Sequence, residues 1–385
     1  MKAAIIKIFK KIISSYLVKQ YQTSIQSMFE PYYSKIIRDN IIPPIDKDNE
    51  IYKKWERKWS VFNIPVNPKA YQVYSHYIGD DENIVPNDIA RIFIEPILTP
   101  PQYQQFYNDK NSLGQIFPQE LLPYTVLRSI NGTLYDMEYC TVGTQCFFDS
   151  LASFDRVIVK PALDMGGHGV QLFFRKGDNM INAEGEILTY EYMQQNYGKN
   201  YLIQKCLDQS VFMSQFNPTS VNTIRLAMYK DVNTGVIHYL GAVLRMGGQG
   251  SVVDNACSGG VFAAIDTDGK IGKILYDEFG RTKTVHNGID FSNSDFVIPD
   301  FEKVIKMGEF VASRMPHMYL FANDFMIDEE GNVKIIEVNT QWFSYWLYQF
   351  SSKSIFGQYT DDVINYCKAK KHLIKISPSL RREYE

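Results

Sequence analysis

FANDFMIDEEGNVKIIEVNTQ, residues 321–341, decides how the rest of the chain is read. Phe325 and Ile327, then Val333, Ile335 and Ile336, are strand residues, and Asp328-Glu329-Glu330-Gly331-Asn332 supplies a turn with a glycine, so the stretch predicts a β-hairpin. Asp324 stands on one strand, with Glu337 and Asn339 on the other. Being two apart, Glu337 and Asn339 share a face of their strand. Strand pairing brings Asp324 opposite them, and hard oxygen ligands gather at one place. Such a set suits Mg²⁺ with substrate phosphates completing the shell. An ordinary surface hairpin with acidic ends would carry the same letters, so the remainder of the chain has to decide.

Composition narrows the field. The 385 residues are 45% hydrophobic and 22% charged, which is ordinary for a globular protein, and the length calls for two or three structural units rather than one core. A net charge of -3 offers no basic field for nucleic acid. Five dispersed cysteines (140, 146, 206, 257 and 367) form no close pair, which predicts free thiols in a reducing compartment. The six histidines show no zinc spacing. No apolar run reaches bilayer length and no signal-peptide pattern is present, so the cytoplasm is the expected location. The 26 tyrosines and 24 phenylalanines would suit a sugar-binding cleft as well as they suit a core.

Five segments follow from the pattern: 1–45, 46–105, 106–200, 201–350 and 351–385. In the first, Ile5, Phe9, Ile12 and Tyr16 repeat with helical spacing, Ile6, Ile8 and Ile13 widen the stripe, and Lys7, Lys10, Lys11 and Ser14 fall opposite. A helix of this kind either lies on an anionic membrane surface, where it would be within reach of a glycosyltransferase partner, or docks on its own domain or a twin subunit. Pro43–Glu50 reads as a linker, and Lys53–Trp59 as an exposed helix with a solvated charge run. Ala90-Arg91-Ile92-Phe93-Ile94 is strand-like among prolines 86, 96, 100 and 101, giving a mixed α/β region. Farther on, strands are expected at Asp155–Pro161, Val170–Phe174, Tyr201–Gln204, Ile224–Tyr229, Ile237–Arg245 and Gly260–Ile265, with helices at Tyr190–Tyr197 and Phe301–Met315.

Asp324, Glu337 and Asn339 resemble, in order and spacing, the metal triad of the ATP-grasp ligases. Lys110 before a helical segment and Lys160 at the end of Val157-Ile158-Val159 resemble that superfamily's two phosphate lysines. Asp164-Met165-Gly166-Gly167-His168-Gly169-Val170 is similar to its glycine-rich loop, where backbone N–H groups approach phosphate. A narrower resemblance, to the sugar-transfer-associated ATP-grasp family, rests on Asn217–Arg225, Leu244–Gly247, Val253-Asp254-Asn255 with Gly259-Gly260, Asp266–Gly269, His286 with Gly288, and Ile298-Pro299. It covers about residues 105 to 345.

The resemblance implies an α/β (α+β) ATP-grasp fold, two α+β subdomains clasping ATP behind a smaller mixed N-terminal region. It implies ATP and two Mg²⁺ ions as cofactors, the ions held by Asp324, Glu337 and Asn339. Lys110 and Lys160 would bind the α- and β-phosphates under the loop Gly166, Gly167, His168 and Gly169. Gln204, Lys205 and Leu207 would form the adenine hinge and Asp208 would meet the ribose, although family members often place a glutamate where Gln204 stands. Arg225 and Arg245, with Lys160, are the expected catalytic cations, and Asn222, Asp254 and Asn255 are further site candidates, unless these side chains only make strand ion pairs or hold turns.

The implied reaction joins an amine or amino acid to a carboxylate through an acylphosphate, the carboxylate belonging to a uronic-acid-type sugar of a surface polysaccharide. A peptide-forming amino-acid ligase, a kinase that stops at phosphoryl transfer, and a non-catalytic ATP-binding regulator of a glycosyltransferase complex stand as the alternatives. Gly247-Gly248-Gln249-Gly250, His286 and Trp342 are candidates for the acceptor pocket.

Overall fold

Two antiparallel sheets carry the chain from Thr125 onward. The computed structural model describes residues 2–163, 167–248 and 259–374, and of residues 2–15 the backbone alone. The first sheet comprises β1 (Thr125–Ile130), β2 (Thr133–Tyr135), β3 (Arg156–Pro161), β4 (Gln171–Lys176), β5 (Asn179–Ile181) and β6 (Tyr201–Lys205), ordered β2-β1-β6-β3-β4-β5. The second uses β7 (Thr223–Lys230), β8 (Ile237–Met246), β9 (Val261–Ile265), β10 (Leu275–Tyr276) and β11 (Thr282–Lys283). After the short ribbon of β12 (Val285–His286) and β13 (Ile289–Asp290), it closes with β14 (Leu320–Ile327) and β15 (Val333–Asn339). Its order is β11-β10-β9-β8-β7-β14-β15. The fold is thus mixed α and β with antiparallel sheets, as the sequence implied.

Period-2 alternation gives each sheet two different faces. In the first, Val157, Val159, Phe173, Tyr201 and Ile203 point to one side and form a buried core with the helices Phe147–Leu151 and Tyr190–Tyr197. Arg156, Ile158 and Lys160 point to the other side, with Leu172 and Gln204 placed opposite Ile158 by the register. In the second sheet, Ile224, Leu226, Met228, Phe321 and Phe325 pack against the helix Phe301–Arg314. The helix comes so close that a Cβ on Gly308 would meet Leu226 Cδ2 at 2.3 Å.

The opposite face of that sheet has an apolar end and a polar end. Ala227, Tyr229, Val243, Leu320 and Ala322 belong to the core shared with the N-terminal helices. Arg225, Arg245, Asp324, Glu337 and Asn339 continue the same rows beyond it.

Among the described residues before Thr125 there are only helices. Asn49 and Asn67 cap two of them, accepting from Ile51 N and Tyr52 N, and from Lys69 N. The segment Lys53–Trp59 is helical as expected, but it is not simply exposed. Tyr52, Trp55 and Trp59 repeat at helical spacing, are buried, and Trp55 Nε1 donates to Ile84 O at 2.8 Å. Ala90–Ile94 corrects the strand expectation: it is a π-helical turn joining Asn87–Ile89 to Glu95–Leu98. Every residue of that turn is buried, so its apolar run reports burial on all sides and not a β period.

This helical run holds the far end of the hairpin. The Glu95 carboxylate accepts from Arg91 Nη1 at 2.8 Å and from the N–H groups of Trp342 and Phe343 at 3.2 Å each. The Arg91 guanidinium stacks on Trp342 at 4.0 Å, where the chain turns through a positive φ of 51°. Glu95→Ala removes the carboxylate paired with buried Arg91 and the acceptor of two amides, and should cost about 3–5 kcal/mol. Chemical denaturation of the variant beside the parent protein checks this; an unchanged midpoint would show that the clamp contributes nothing.

Candidate functional site

The charged faces of the two sheets look at each other across a cleft of about 340 Å³. Lys110, Arg156, Lys160, Lys205 and Arg245 line it as basic groups, against the carboxylates of Asp208, Asp324 and Glu337. Ile158, Val170, Leu172, Leu207 and Ile336 give it apolar walls, and Ser214, Thr219, Ser220 and Thr223 a hydroxyl-rich margin. A cationic cleft with flat apolar walls suits a ligand that carries both phosphates and an aromatic base.

Asp324 is the centre of the polar end. The strand register sets it opposite Arg225 on β7 and opposite Glu337 on β15. Arg225 grips it with two bonds, Nε to Oδ1 at 2.7 Å and Nη2 to Oδ2 at 2.6 Å, and Arg245 Nη1 reaches Oδ2 at 3.1 Å. Asn339 Nδ2 adds a bond to Oδ2 at 3.2 Å and another to Ala322 O. Burial alone would raise the Asp324 pKa, but the two guanidiniums hold it below the usual carboxylate range. Asp324 in turn raises the Arg225 pKa against the effect of burial. Arg225 therefore stands behind Asp324 and not in the cleft, whereas Arg245 lines the cleft itself.

Glu337 faces the cleft and pairs with Lys110, Nζ to Oε1 at 3.0 Å. Lys110 opens a short 3₁₀ turn capped by Asp109, and its backbone N–H donates to Ala162 O, which ties it to the end of β3. The turn is held from below by buried Arg128, whose Nη1 donates to Asn111 O at 2.9 Å while its guanidinium stacks on Tyr139. Lys160 projects into the cleft from β3, and among the described residues its ammonium makes no hydrogen bond or ion pair. Burial, helped by the like charge of Lys110 and opposed by Glu337, brings its pKa down to about 8. A desolvated ammonium of this kind is an anion receptor.

The donor set can be tested against Mg²⁺. Asp324 and Glu337 are directly opposite on neighbouring strands, where like charges repel unless a cation lies between them. Asp324 Oδ1 takes one bond from Arg225, and Glu337 is held by a lysine at the edge of the cleft. Among the described residues no group of three or more His, Cys, Asp or Glu side chains forms a cage. A cation that takes one or two carboxylates and completes its shell from phosphate and water fits this arrangement; a fully protein-ligated ion does not. Glu337 would be the foremost ligand of such an ion, with Asp324 and Asn339 beside it.

Three further expectations are redrawn. Asn222 is fully buried away from the cleft: its amide bonds Gln209 Oε1, Met213 O and Asn217 O, each at 2.9 Å, so it holds the loop before β7. Asp208 is at the cleft but its carboxylate is ion-paired with Arg156. Among the acceptor candidates, His286 Nε2 bonds Gly247 O at 2.9 Å and Trp342 is stacked under Arg91, so both serve structure.

Gln204 lies where the hinge was expected. Its Nε2 faces Thr125 Oγ1 and Pro123 O, which leaves Oε1 buried with no partner among the described residues. An exocyclic amino group of a base would satisfy that carbonyl. Lys205 and Leu207 continue the same edge of the cleft, with Gly167 and His168 facing them. Gly167 and Gly169 adopt positive φ of 76° and 68°, and a Cβ on Gly169 would press on Pro161 at 3.3 Å. Gly166, Asp254, Asn255, Gln249 and Gly250 lie outside the described residues.

Arg156 and Arg128 went unnoticed in the sequence. For Arg156 a signal existed, because Arg156, Ile158 and Lys160 sit two apart on a strand whose other face is Val157 and Val159. Nothing local marks Arg128.

Residues 108–362 match the family described as sugar-transfer associated ATP-grasp. No curated protein matches the chain. Among solved structures, it is similar to the ATP-grasp ligase PsnB, determined with a minimal precursor, Mg and ADP, at 12% identity over 70% of this chain and a TM-score of 0.39. The matched part spans 62% of the PsnB chain. D-alanine–D-alanine ligase from Bacillus anthracis is 12% identical over 73% of this chain and 70% of that one, with a TM-score of 0.37. D-cycloserine synthetase DcsG is 11% identical over 72% and 74%, also with a TM-score of 0.37. Similarities at these scores add nothing about individual residues.

The lowered Lys160 pKa has a direct consequence. Below pH 8 the free site already carries the charge that phosphate needs, and above pH 8 binding must take up a proton. Affinity for adenine nucleotide should therefore fall by roughly an order of magnitude between pH 7.5 and 9. Calorimetric titration across that range checks it, and Lys160→Met should bind weakly with little dependence on pH.

Proposed function

From the premise that this chain belongs to the sugar-transfer-associated ATP-grasp family, we propose that it is an ATP-dependent, ADP-forming carboxylate–amine ligase. The observation that carries this reading is the facing of Lys110, Lys160 and Arg245 with Glu337 and Asp324 across one cleft. Cations for phosphate and carboxylates for a divalent ion occur together there, which phosphoryl transfer requires and simple anion binding does not.

In the proposed reaction a carboxylate oxygen of the acceptor attacks the γ-phosphorus of ATP and ADP leaves. The amine then attacks the acyl carbon of the acylphosphate, phosphate leaves, and the nitrogen gives up its proton as the amide forms. Glu337, with Asp324 and Asn339, would hold a Mg²⁺ ion that would neutralise charge at the phosphate oxygens. Lys160 and Lys110 bind phosphate, and the nearby lobe with Gly167 and Gly169 keeps water from the acylphosphate.

Arg245 is aimed into the cleft by Asp324 behind it, and its planar fork suits either the transferred phosphoryl or the acceptor carboxylate. Arg225 is a positioning residue that fixes Asp324. The apolar walls and the free carbonyl of Gln204 take the adenine.

The acceptor in this proposal is a uronic-acid-type sugar of a surface polysaccharide, coupled to an amino acid or another amine. The hydroxyl-rich margin Ser214, Thr219, Ser220 and Thr223 supports a polyhydroxylated acceptor, and the association of the family with sugar transfer points the same way. The proposed place of action is the cytoplasm, where ATP is available.

The test is ADP release with ATP and Mg²⁺ across a panel of uronic acids crossed with amino acids. Turnover confined to particular acid–amine pairs supports the ligase; ADP release with the acid alone would make it a kinase. Glu337→Gln should lower turnover by at least about a hundredfold. Because Glu337 is at the cleft edge, that variant should melt close to the parent. Asp324→Asn should instead lose about 3–5 kcal/mol of stability, since it uncouples two buried guanidiniums. Equal stability losses in the two variants would overturn this division of roles between metal ligand and structural anchor.

A further inference from the structure

The helix Lys2–Asp39 changes its apolar side part-way along its 38 residues. In its second half Tyr21, Ile25, Phe29, Tyr33 and Ile36 form the seam against the body, with Ile25, Tyr33 and Ile36 at most 1% exposed. The outward side of the same stretch holds Tyr16, 60% exposed, and then Gln20, Thr23 and Ser27, all exposed.

At roughly 100° of turn per residue, both lines can be followed back toward residue 2. The inward line passes from Val18 through positions 14, 11 and 7, which are Ser14, Lys11 and Lys7. The outward line passes from Tyr16 through positions 12, 9 and 5, which are Ile12, Phe9 and Ile5. The apolar stripe of the first four turns is therefore placed on the side opposite to the seam. Docking on its own domain, one of the two roles open to this helix, uses the second half of the helix, and the positions of the first stripe fall on the opposite helical face.

Charge indicates what that stripe meets. Residues 1–29 hold five lysines, at 2, 7, 10, 11 and 19, and none of the 43 acidic residues of the chain. Stripe-to-stripe pairing with a second copy would gather ten lysines with no carboxylate among them. An anionic lipid surface supplies the missing charge, takes the apolar stripe, and lets Lys2, Lys10 and Lys19 at its margins reach the headgroups, with Lys7 and Lys11 behind them adding to the basic field. Among the described residues no helix is long and apolar enough to cross a membrane, so the helix would lie along the surface.

We propose that the first four turns of this helix bind an anionic lipid membrane in the plane of the interface and hold the protein at that surface. This inference does not depend on the ligase reading.

Sedimentation of the purified full-length chain with vesicles tests it. Vesicles of phosphatidylcholine alone are compared with vesicles containing roughly a third phosphatidylglycerol, where partitioning should rise at least about tenfold and fall again as salt is added. Phe9→Glu with Ile12→Glu should abolish binding, and so, separately, should Lys10→Glu with Lys11→Glu. Both pairs lie ahead of the buried seam, so melting and nucleotide binding should match the parent protein. Light scattering on the same samples gives the oligomeric state. The proposal is overturned by no vesicle binding, by equal binding to neutral and anionic vesicles, by binding that survives both pairs of substitutions, or by a dimer that Phe9→Glu with Ile12→Glu dissociates while vesicles bind nothing.

Discussion

A carboxylate buried between two guanidiniums organises this protein. Asp324 is 3% exposed, and removing that charge from water is expensive unless it is fully paired. Arg225 answers it from the neighbouring strand with two parallel bonds, and Arg245 answers it from the next strand over. Because the partners come from β7 and β8, the cluster cross-links three strands at the point where the sheet face passes from apolar to polar. Its second consequence is directional. An arginine anchored by Asp324 has its guanidinium fixed in direction, and Arg245 held in this way lines the cleft. Glu337, directly across the hairpin from Asp324, cannot approach it without a cation between them, so its carboxylate remains directed at Lys110 and the cleft.

The helical N-terminal region acts on the same place from the other side. Glu95 and Arg91 fix the backbone just after β15, and Gln104 Nε2 bonds both Thr99 O and Thr340 O. Thr340 Oγ1 in turn donates to Asn108 Oδ1 at 2.6 Å. Asn108 ends the helix Pro101–Asn108, two residues before Lys110. The end of the strand that carries Glu337 and Asn339, and the turn that carries Lys110, are thus attached to one short helix. The 3.0 Å separation of Lys110 and Glu337 is therefore set by the scaffold as well as by their mutual attraction. A π-helical turn in the segment that makes the clamp fits the tendency of such turns to occur where geometry is constrained by function.

Sequence alone made the second half of the fold readable because period and turn chemistry agree there. The hairpin, the helix Tyr190–Tyr197 and the long strands around Arg225 and Arg245 follow from alternation bounded by Gly and Asp. Ala90–Ile94 did not, since an apolar run of five buried on every side has no period to reveal its conformation. At the site, Lys160 and Glu337 were legible from their strand positions. The pairing of Arg225 with Asp324 was not, because it joins residues 99 apart through a strand register that no local pattern encodes. The same holds for Arg156 with Asp208, 52 apart, and for Asn222, whose three acceptors lie in the loop before it.

Several of the polar groups left unpaired in the fold lie around the cleft. Gln204 Oε1, Ser220 Oγ and Arg128 Nε are buried without a partner among the described residues, and these residues line the cleft or the small void behind it. Each such group costs about 1–3 kcal/mol in a folded chain. Arg128, Lys110, Lys160 and Gln204 also surround a void of about 10 Å³ behind the cleft, large enough for one water molecule. Polar groups left short of partners in this way are a store of interaction energy that a ligand with complementary donors and acceptors can release. Along the cleft, the Gln204 carbonyl can accept from a base and the Lys160 ammonium can bind an oxyanion.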